Sequence, residues 1–114
     1  MKAQDWIAGF IQSLEEASNI DRQRSAWVGR RDPNFPAPAE LVCQLFDDSG
    51  VDDLLAEGVV FSEATDALLR RLSSLAADLD LNGPPEVLLS SEGWGGFARE
   101  AARVLALVRE ELAK

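Results

Sequence analysis

The stretch FAREAARVLALVREEL, residues 97–112, decides the fold of this chain. Its apolar residues recur at spacings of three and four, which is the pattern of an amphipathic helix. We therefore predict a helix over residues 95–112. Its buried face consists of Phe97, Ala98, Ala101, Val104, Leu105, Val108 and Leu112.

The same periodicity recurs elsewhere in the chain. Residues 4–17 carry one such apolar face, which Ile20, Trp27 and Val28 roughly continue, so the first helix is predicted to run to Val28, with or without a kink, or to restart at Ser18. A second apolar face follows the N-cap residue Ser62. Shorter helices are predicted to begin at Pro38 and Val51, separated by Ser49 and Gly50, and RRDPNFPAP, residues 30–38, is a proline-rich linker. No run of alternating apolar residues predicts a strand. The expected fold is all-α: a compact bundle of four to five helices forming a single domain over residues 1–114.

Several polar and aromatic positions have a predicted local role. Asp66 and Arg70 have the spacing of an ion pair on the outer face of a helix, and Ser49 and Asp52 have that of a capping box. The glycine-rich segment GWGG, residues 93–96, is predicted to be a loop or a frayed first helical turn. Its tryptophan, Trp94, either fills the core or stands exposed as an anchor for a partner.

The composition excludes several classes of chemistry. The chain has no histidine, so it offers no Ser-His or Cys-His nucleophile pair and no zinc site of the usual kind. Cys43, the single cysteine, is predicted to be a small core residue, and GWGG lacks the lysine of a phosphate-binding loop. We therefore predict a protein that is not an enzyme and that uses no metal and no cofactor.

The sequence also predicts the compartment of the protein. One cysteine cannot close an internal disulfide, and no secretory signal follows Lys2. The longest apolar runs are far shorter than a membrane span, so we predict no membrane association and a cytoplasmic location.

The net charge of −9 is concentrated in the middle of the chain. Residues 32–66 carry nine acidic side chains and no basic one, whereas the segments before and after them are nearly balanced. Carboxylates repel the phosphates of nucleic acids, so DNA or RNA binding is not expected. The basic group Arg22, Arg24, Arg30 and Arg31 lies beside Asp21 and Asp32, which favours internal pairing or a solvated helix end.

Within this acidic third, Asp52 and Asp53 fall in the first turn of a predicted helix, where the helix dipole favours negative charge. Asp47 and Asp48 fall at the end of the preceding helix, where a carboxylate costs about 0.3 to 1 kcal/mol. Carboxylates at such unfavourable helix ends indicate that these residues either bind a partner or pair with the arginine group. The predicted contact residues are Asp47, Asp48, Asp52, Asp53 and Glu57, with Phe35 as an apolar anchor.

The leading functional hypothesis is a small acidic protein-binding module that inhibits or escorts a basic protein, in the manner of bacterial immunity and antitoxin proteins. One alternative is a non-catalytic subunit of a homo-oligomer. The other is a weak calcium binder through Asp78, Asp80 and Asn82, because DLDLNG, residues 78–83, matches the start of an EF-hand loop. That match ends at the twelfth loop position, where Leu89 stands in place of the bidentate glutamate.

Overall fold

The computed structural model describes residues 2–113, and side chains from Trp6 onwards. It contains seven α-helices, with a π-helical turn over Gln44–Asp48 that continues the third helix; no strand occurs among these residues. The helices are α1 Lys2–Ser18, α2 Ile20–Trp27, α3 Pro38–Cys43, α4 Val51–Glu57, α5 Glu63–Ala77, α6 Pro85–Leu89 and α7 Glu92–Leu112. The predicted all-α fold is confirmed. The segments outnumber the four to five predicted because Asn19 interrupts the first helix and α6 forms a separate short helix.

The core lies between the two longest helices, α1 and α7, and α5 packs against α7 beside them. Each of the three helices buries the apolar face that its periodicity predicts. The buried side chains include Phe10, Leu14 and Ala17 of α1, Leu69 and Leu72 of α5, and Phe97, Ala101, Val104 and Val108 of α7.

Helix α7 begins three residues earlier than predicted. Ser91 caps it, because the Ser91 hydroxyl accepts a hydrogen bond from the Trp94 N–H at 3.2 Å. A Cβ atom at Gly93 would lie 2.8 Å from the Leu79 side chain, so glycine permits the close approach of this turn. Trp94 is fully buried, and the core-filling alternative is therefore the one the structure supports.

The junction of α1 and α2 contains a buried polar network centred on Gln23, which is inaccessible to solvent. Its amide nitrogen donates to the carbonyl oxygens of Glu16 at 2.7 Å and Ala17 at 3.0 Å. These carbonyls stand at the end of α1, where the helix itself supplies no donor. The Trp94 indole donates to the Gln23 amide oxygen at 2.8 Å, so one side chain joins α1, α2 and α7.

Asp66 is a second buried polar residue, and the prediction of an outer ion pair with Arg70 is wrong. Asp66 is 1% exposed, and its carboxylate accepts hydrogen bonds from the Val60 N–H at 2.7 Å and the Phe61 N–H at 3.0 Å. Arg70 instead donates to the Leu55 carbonyl at 3.1 Å. The carboxylate turns inward because the loop before α5 has N–H groups that no helix satisfies.

Candidate partner-binding surface

The acidic third of the chain folds as α3, the π-helical turn and α4. Its buried side chains fix it to the rest of the molecule: Leu41, Leu45, Phe46, Val51 and Leu55. The Ser49 N–H donates to the Gln44 carbonyl at 3.2 Å, five residues back, and Gly50 then adopts φ 82° before α4 starts. The expected capping box does not form, because the Ser49 hydroxyl accepts from the Val51 N–H at 3.2 Å and donates to the Leu45 carbonyl.

The five predicted acidic contact residues are all exposed. We call them the acidic surface: Asp47, Asp48, Asp52, Asp53 and Glu57. The ion pairs among residues 6–113 join Arg22 to Asp32, Arg71 and Arg103 to Glu100, and Arg109 to Glu15. None of these pairs includes a member of the acidic surface, so within that range its carboxylates lack a salt-bridge partner.

Four of these carboxylates form one continuous like-charged group. The π-helical turn ends at Asp48 and α4 begins at Val51, so the two Asp pairs are close along the chain. Partial desolvation, then the negative charges of Asp47 and Asp53, raise the pKa of Asp52. Asp48 lies beside Asp47 at the end of that turn. Glu57 follows Asp53 by four residues, a spacing that puts both on one face of α4.

The arginine group does not neutralise this surface in the described part of the chain. Arg22 pairs with Asp32 at 3.2 Å, which confirms internal pairing for one member of the group. Arg24, Arg30 and Arg31 are exposed. The alternative explanation for Asp47 and Asp48, that they pair with these arginines, therefore finds no support in the ion pairs of residues 6–113.

Phe35 is not exposed, so the prediction that it is an apolar anchor of the contact surface is wrong. The side chain is 8% exposed, and its ring meets that of Trp27 edge-on, with the centroids 5.9 Å apart. The Arg22 guanidinium covers it at 4.9 Å from the ring centroid. The Trp27 indole donates to the Pro36 carbonyl at 2.8 Å, so the linker is held down and Phe35 belongs to the core.

Cys43 is exposed rather than a core residue, which corrects its predicted position. Its thiol lies 3.8 Å from Asp48 and 3.9 Å from Asp47, and these three side chains could converge on a metal ion. Partial desolvation and the charges of Asp48 and Asp47 raise the pKa of the Cys43 thiol. A protonated thiol is a poor metal ligand and a poor nucleophile, so we assign this group no chemistry.

The other candidate ion-binding segment forms a local turn. The Asp80 carboxylate accepts a hydrogen bond from the Asn82 N–H at 3.2 Å, and Asp78 follows the end of α5. Asp78, Asp80 and Asn82 are all exposed. Calcium binding through these residues stays a prediction.

One charged residue beside the acidic surface was not expected from the sequence. Glu16 of α1 is 8% exposed and lines a pocket that it shares with Asp48. One feature of the sequence could have indicated its burial: Glu16 stands next to Ala17, at the edge of the apolar face of α1. Burial of a charged residue is, however, unusual, so the feature did not lead to a prediction.

No helix within residues 2–113 combines the length and the apolarity that crossing a bilayer requires. Searches against protein-family models, curated proteins and solved structures find no match to this chain.

Proposed function

We propose that this chain is a small acidic protein-binding module that inhibits or escorts a basic protein partner, in the manner of bacterial immunity and antitoxin proteins. The observation that carries the proposal is the acidic surface: five exposed carboxylates, in a third of the chain that has no basic residue. We further propose that binding, not catalysis, is its activity, and that it acts in the cytoplasm.

The clustered charge affects both association with a partner and the stability of the free protein. Clustered charge of one sign attracts an oppositely charged partner at long range and raises the association rate constant. In the free protein the same cluster is unfavourable, because the carboxylates repel one another and Asp47 and Asp48 stand at the carbonyl end of a helical segment. A basic partner removes this repulsion on binding, whereas a purely structural role gives no reason to keep it.

The experiment starts with affinity capture of a partner from the cells that produce the protein. Capture of a protein does not by itself support the proposed function, because the captured protein must also be basic. The association rate constant of the two proteins is then measured at several ionic strengths. The charge-reversed double variant Asp47→Lys, Asp48→Lys is expected to slow association by more than tenfold at low salt, with a smaller effect at high salt.

A matched control is available on other elements. Glu86 of α6 and Glu92 of α7 are also exposed, and their double replacement by lysine changes the net charge equally. The control variant is expected to lose much less of the association rate. Equal effects of the two double variants, or none from either, would remove the acidic surface as the binding site.

Self-association is a second candidate function, favoured by an apolar groove of about 490 Å³ at the end of α4. Val59 is 65% exposed and Leu112 is 48% exposed, and both line this groove. Light scattering of the pure protein tests it: a dimer that Val59→Ser dissociates supports a homo-oligomeric subunit. A monomer at high protein concentration rejects this candidate.

A further inference from the structure

A polar pocket of about 440 Å³ opens beside the acidic surface, between α1, the linker and the π-helical turn. Its volume lies within the range of about 300–1,000 Å³ that is usual for small-ligand sites. Among its described lining residues, Glu16 and Asp48 carry charge and none is basic. The pocket is therefore an anionic site that extends the acidic surface inward.

Glu16 distinguishes this pocket from a cluster of surface acids. The residue is 8% exposed, yet its carboxylate accepts no hydrogen bond and joins no ion pair among residues 6–113. No fully buried side-chain oxygen in that range lacks a partner, so the Glu16 oxygens keep contact with solvent, and Glu16 is one of the residues that line the pocket. The Glu16 carboxylate thus has no internal partner among these residues, and a bound cation would supply one.

The lining indicates which cation fits. Asn34, Gln44 and Ser13, whose side chains carry neutral oxygens, line the pocket together with the two acidic residues, and so does the aromatic residue Trp6. A guanidinium group has five N–H donors in one plane and also favours the face of an aromatic ring. Of the three converging acidic and thiol side chains Cys43, Asp47 and Asp48, only Asp48 lines this pocket, so a metal ion there would depend mainly on neutral oxygens.

We infer that this pocket receives an arginine side chain of the basic partner, with the guanidinium group between Glu16 and Asp48. The inference rests on the proposed function, because the partner supplies the arginine. It adds residue specificity to that function: the acidic surface attracts any cationic protein, whereas the pocket selects one that presents an arginine at the right place.

The test uses N-acetylarginine methylamide as the probe, titrated into the protein and followed by two-dimensional amide NMR. Saturable shifts are expected at the amides around Glu16 and Gln44, and the citrulline analogue, which has the same shape without the charge, is expected to give none. The lysine analogue should bind more weakly, because it lacks the planar fork. Glu16→Gln should weaken arginine binding about tenfold, as expected for the loss of a charged hydrogen-bond partner.

Two variants and a stability measurement complete the design. Asp48→Asn should weaken the probe severalfold, whereas Glu86→Gln, with the same charge change outside both the pocket and the acidic surface, should leave its affinity nearly unchanged. Glu16→Gln is expected to fold with no loss of stability, because no internal partner is lost; a large loss would indicate an internal role for this carboxylate and would contradict the inference. Should that variant not fold, Asp48→Asn against Glu86→Gln decides the question.

Failure of the pocket can be told apart from failure of the proposed function. The arginine assignment is overturned if shifts do not saturate, if the lysine and arginine analogues bind equally, or if calcium alone produces the same shifts. When the Asp47→Lys, Asp48→Lys variant still slows association of the captured partner, the proposed function survives without the pocket. When the probe binds but the variant Asp52→Lys, Asp53→Lys, which leaves the pocket residues unchanged, associates normally, the pocket stands and the acidic surface does not.

Discussion

The buried hydrogen bonds of Gln23 make a quantitative prediction about stability. Gln23→Met keeps nearly the same shape but removes the bonds to the Glu16 carbonyl, the Ala17 carbonyl and the Trp94 indole. At about 1 kcal/mol for each bond, the loss is about 3 kcal/mol, and the indole N–H is left buried without an acceptor. That is a large part of the stability expected of a domain of this size.

Urea unfolding followed by circular dichroism measures this loss, and a double-mutant cycle with Trp94→Phe isolates the indole bond. Phenylalanine removes the N–H group, so Trp94→Phe should cost less in the Gln23→Met background than in the native protein, with a coupling energy of about 1 kcal/mol or more. A loss below about 1 kcal/mol for Gln23→Met, or additive effects in the cycle, would refute the proposed role of this network.

Three further predictions concern titratable side chains. Asp66→Asn should destabilise the protein by about 1.5 to 3 kcal/mol in urea unfolding, because the two loop N–H groups bind different carboxylate oxygens and an amide replaces one of these acceptors by an NH2 donor; a neutral effect would contradict its role. The Cys43 thiol should react slowly with neutral iodoacetamide near pH 8 and faster after Asp48→Asn, and equal rates would argue against the raised thiol pKa. NMR titration should give Asp52 a pKa above its ordinary value that falls after Asp47→Asn. Since a raised folded-state pKa favours the protonated form, ionisation of Asp52 should reduce stability as pH rises through that pKa; the opposite slope would contradict this reasoning.

Periodicity was sufficient to predict the helices because burial of one face depends on residues close together in sequence. The faces containing Phe10, Leu69 and Val104 are all buried as expected. The boundaries were less predictable where a side chain acts as a cap, as Ser91 does in extending α7 over the glycines. Glycine propensity indicated a loop or a frayed first helical turn, but capping by Ser91 and the burial of Trp94 favour a regular helix there.

The buried polar residues could not be predicted because their partners are brought together by tertiary structure. Gln23 and Asp66 satisfy backbone groups at helix ends and in a loop, and their sequence neighbours do not reveal those groups. Phe35 is buried only because Trp27 and Arg22 close over the linker. Single-residue patterns contain no information about such contacts.

The candidate binding surface was partly predictable. The absence of basic residues from 32–66 is visible in the sequence, and exposure of Asp47, Asp48, Asp52 and Asp53 follows from their positions between apolar residues. The pocket at Glu16 was not predictable, because it exists only where the linker and the π-helical turn approach α1.

The central claim is that the unbalanced negative charge acts as one localised surface available to a cationic protein. Its most direct test is an NMR titration with a short lysine-rich peptide, in the native protein and in two charge-matched variants. We predict that the largest amide shifts occur over residues 47–57, and that Asp47→Asn with Asp48→Asn weakens binding much more than Glu86→Gln with Glu92→Gln. Shifts spread evenly over the molecule, with equal losses in the two variants, would contradict the claim.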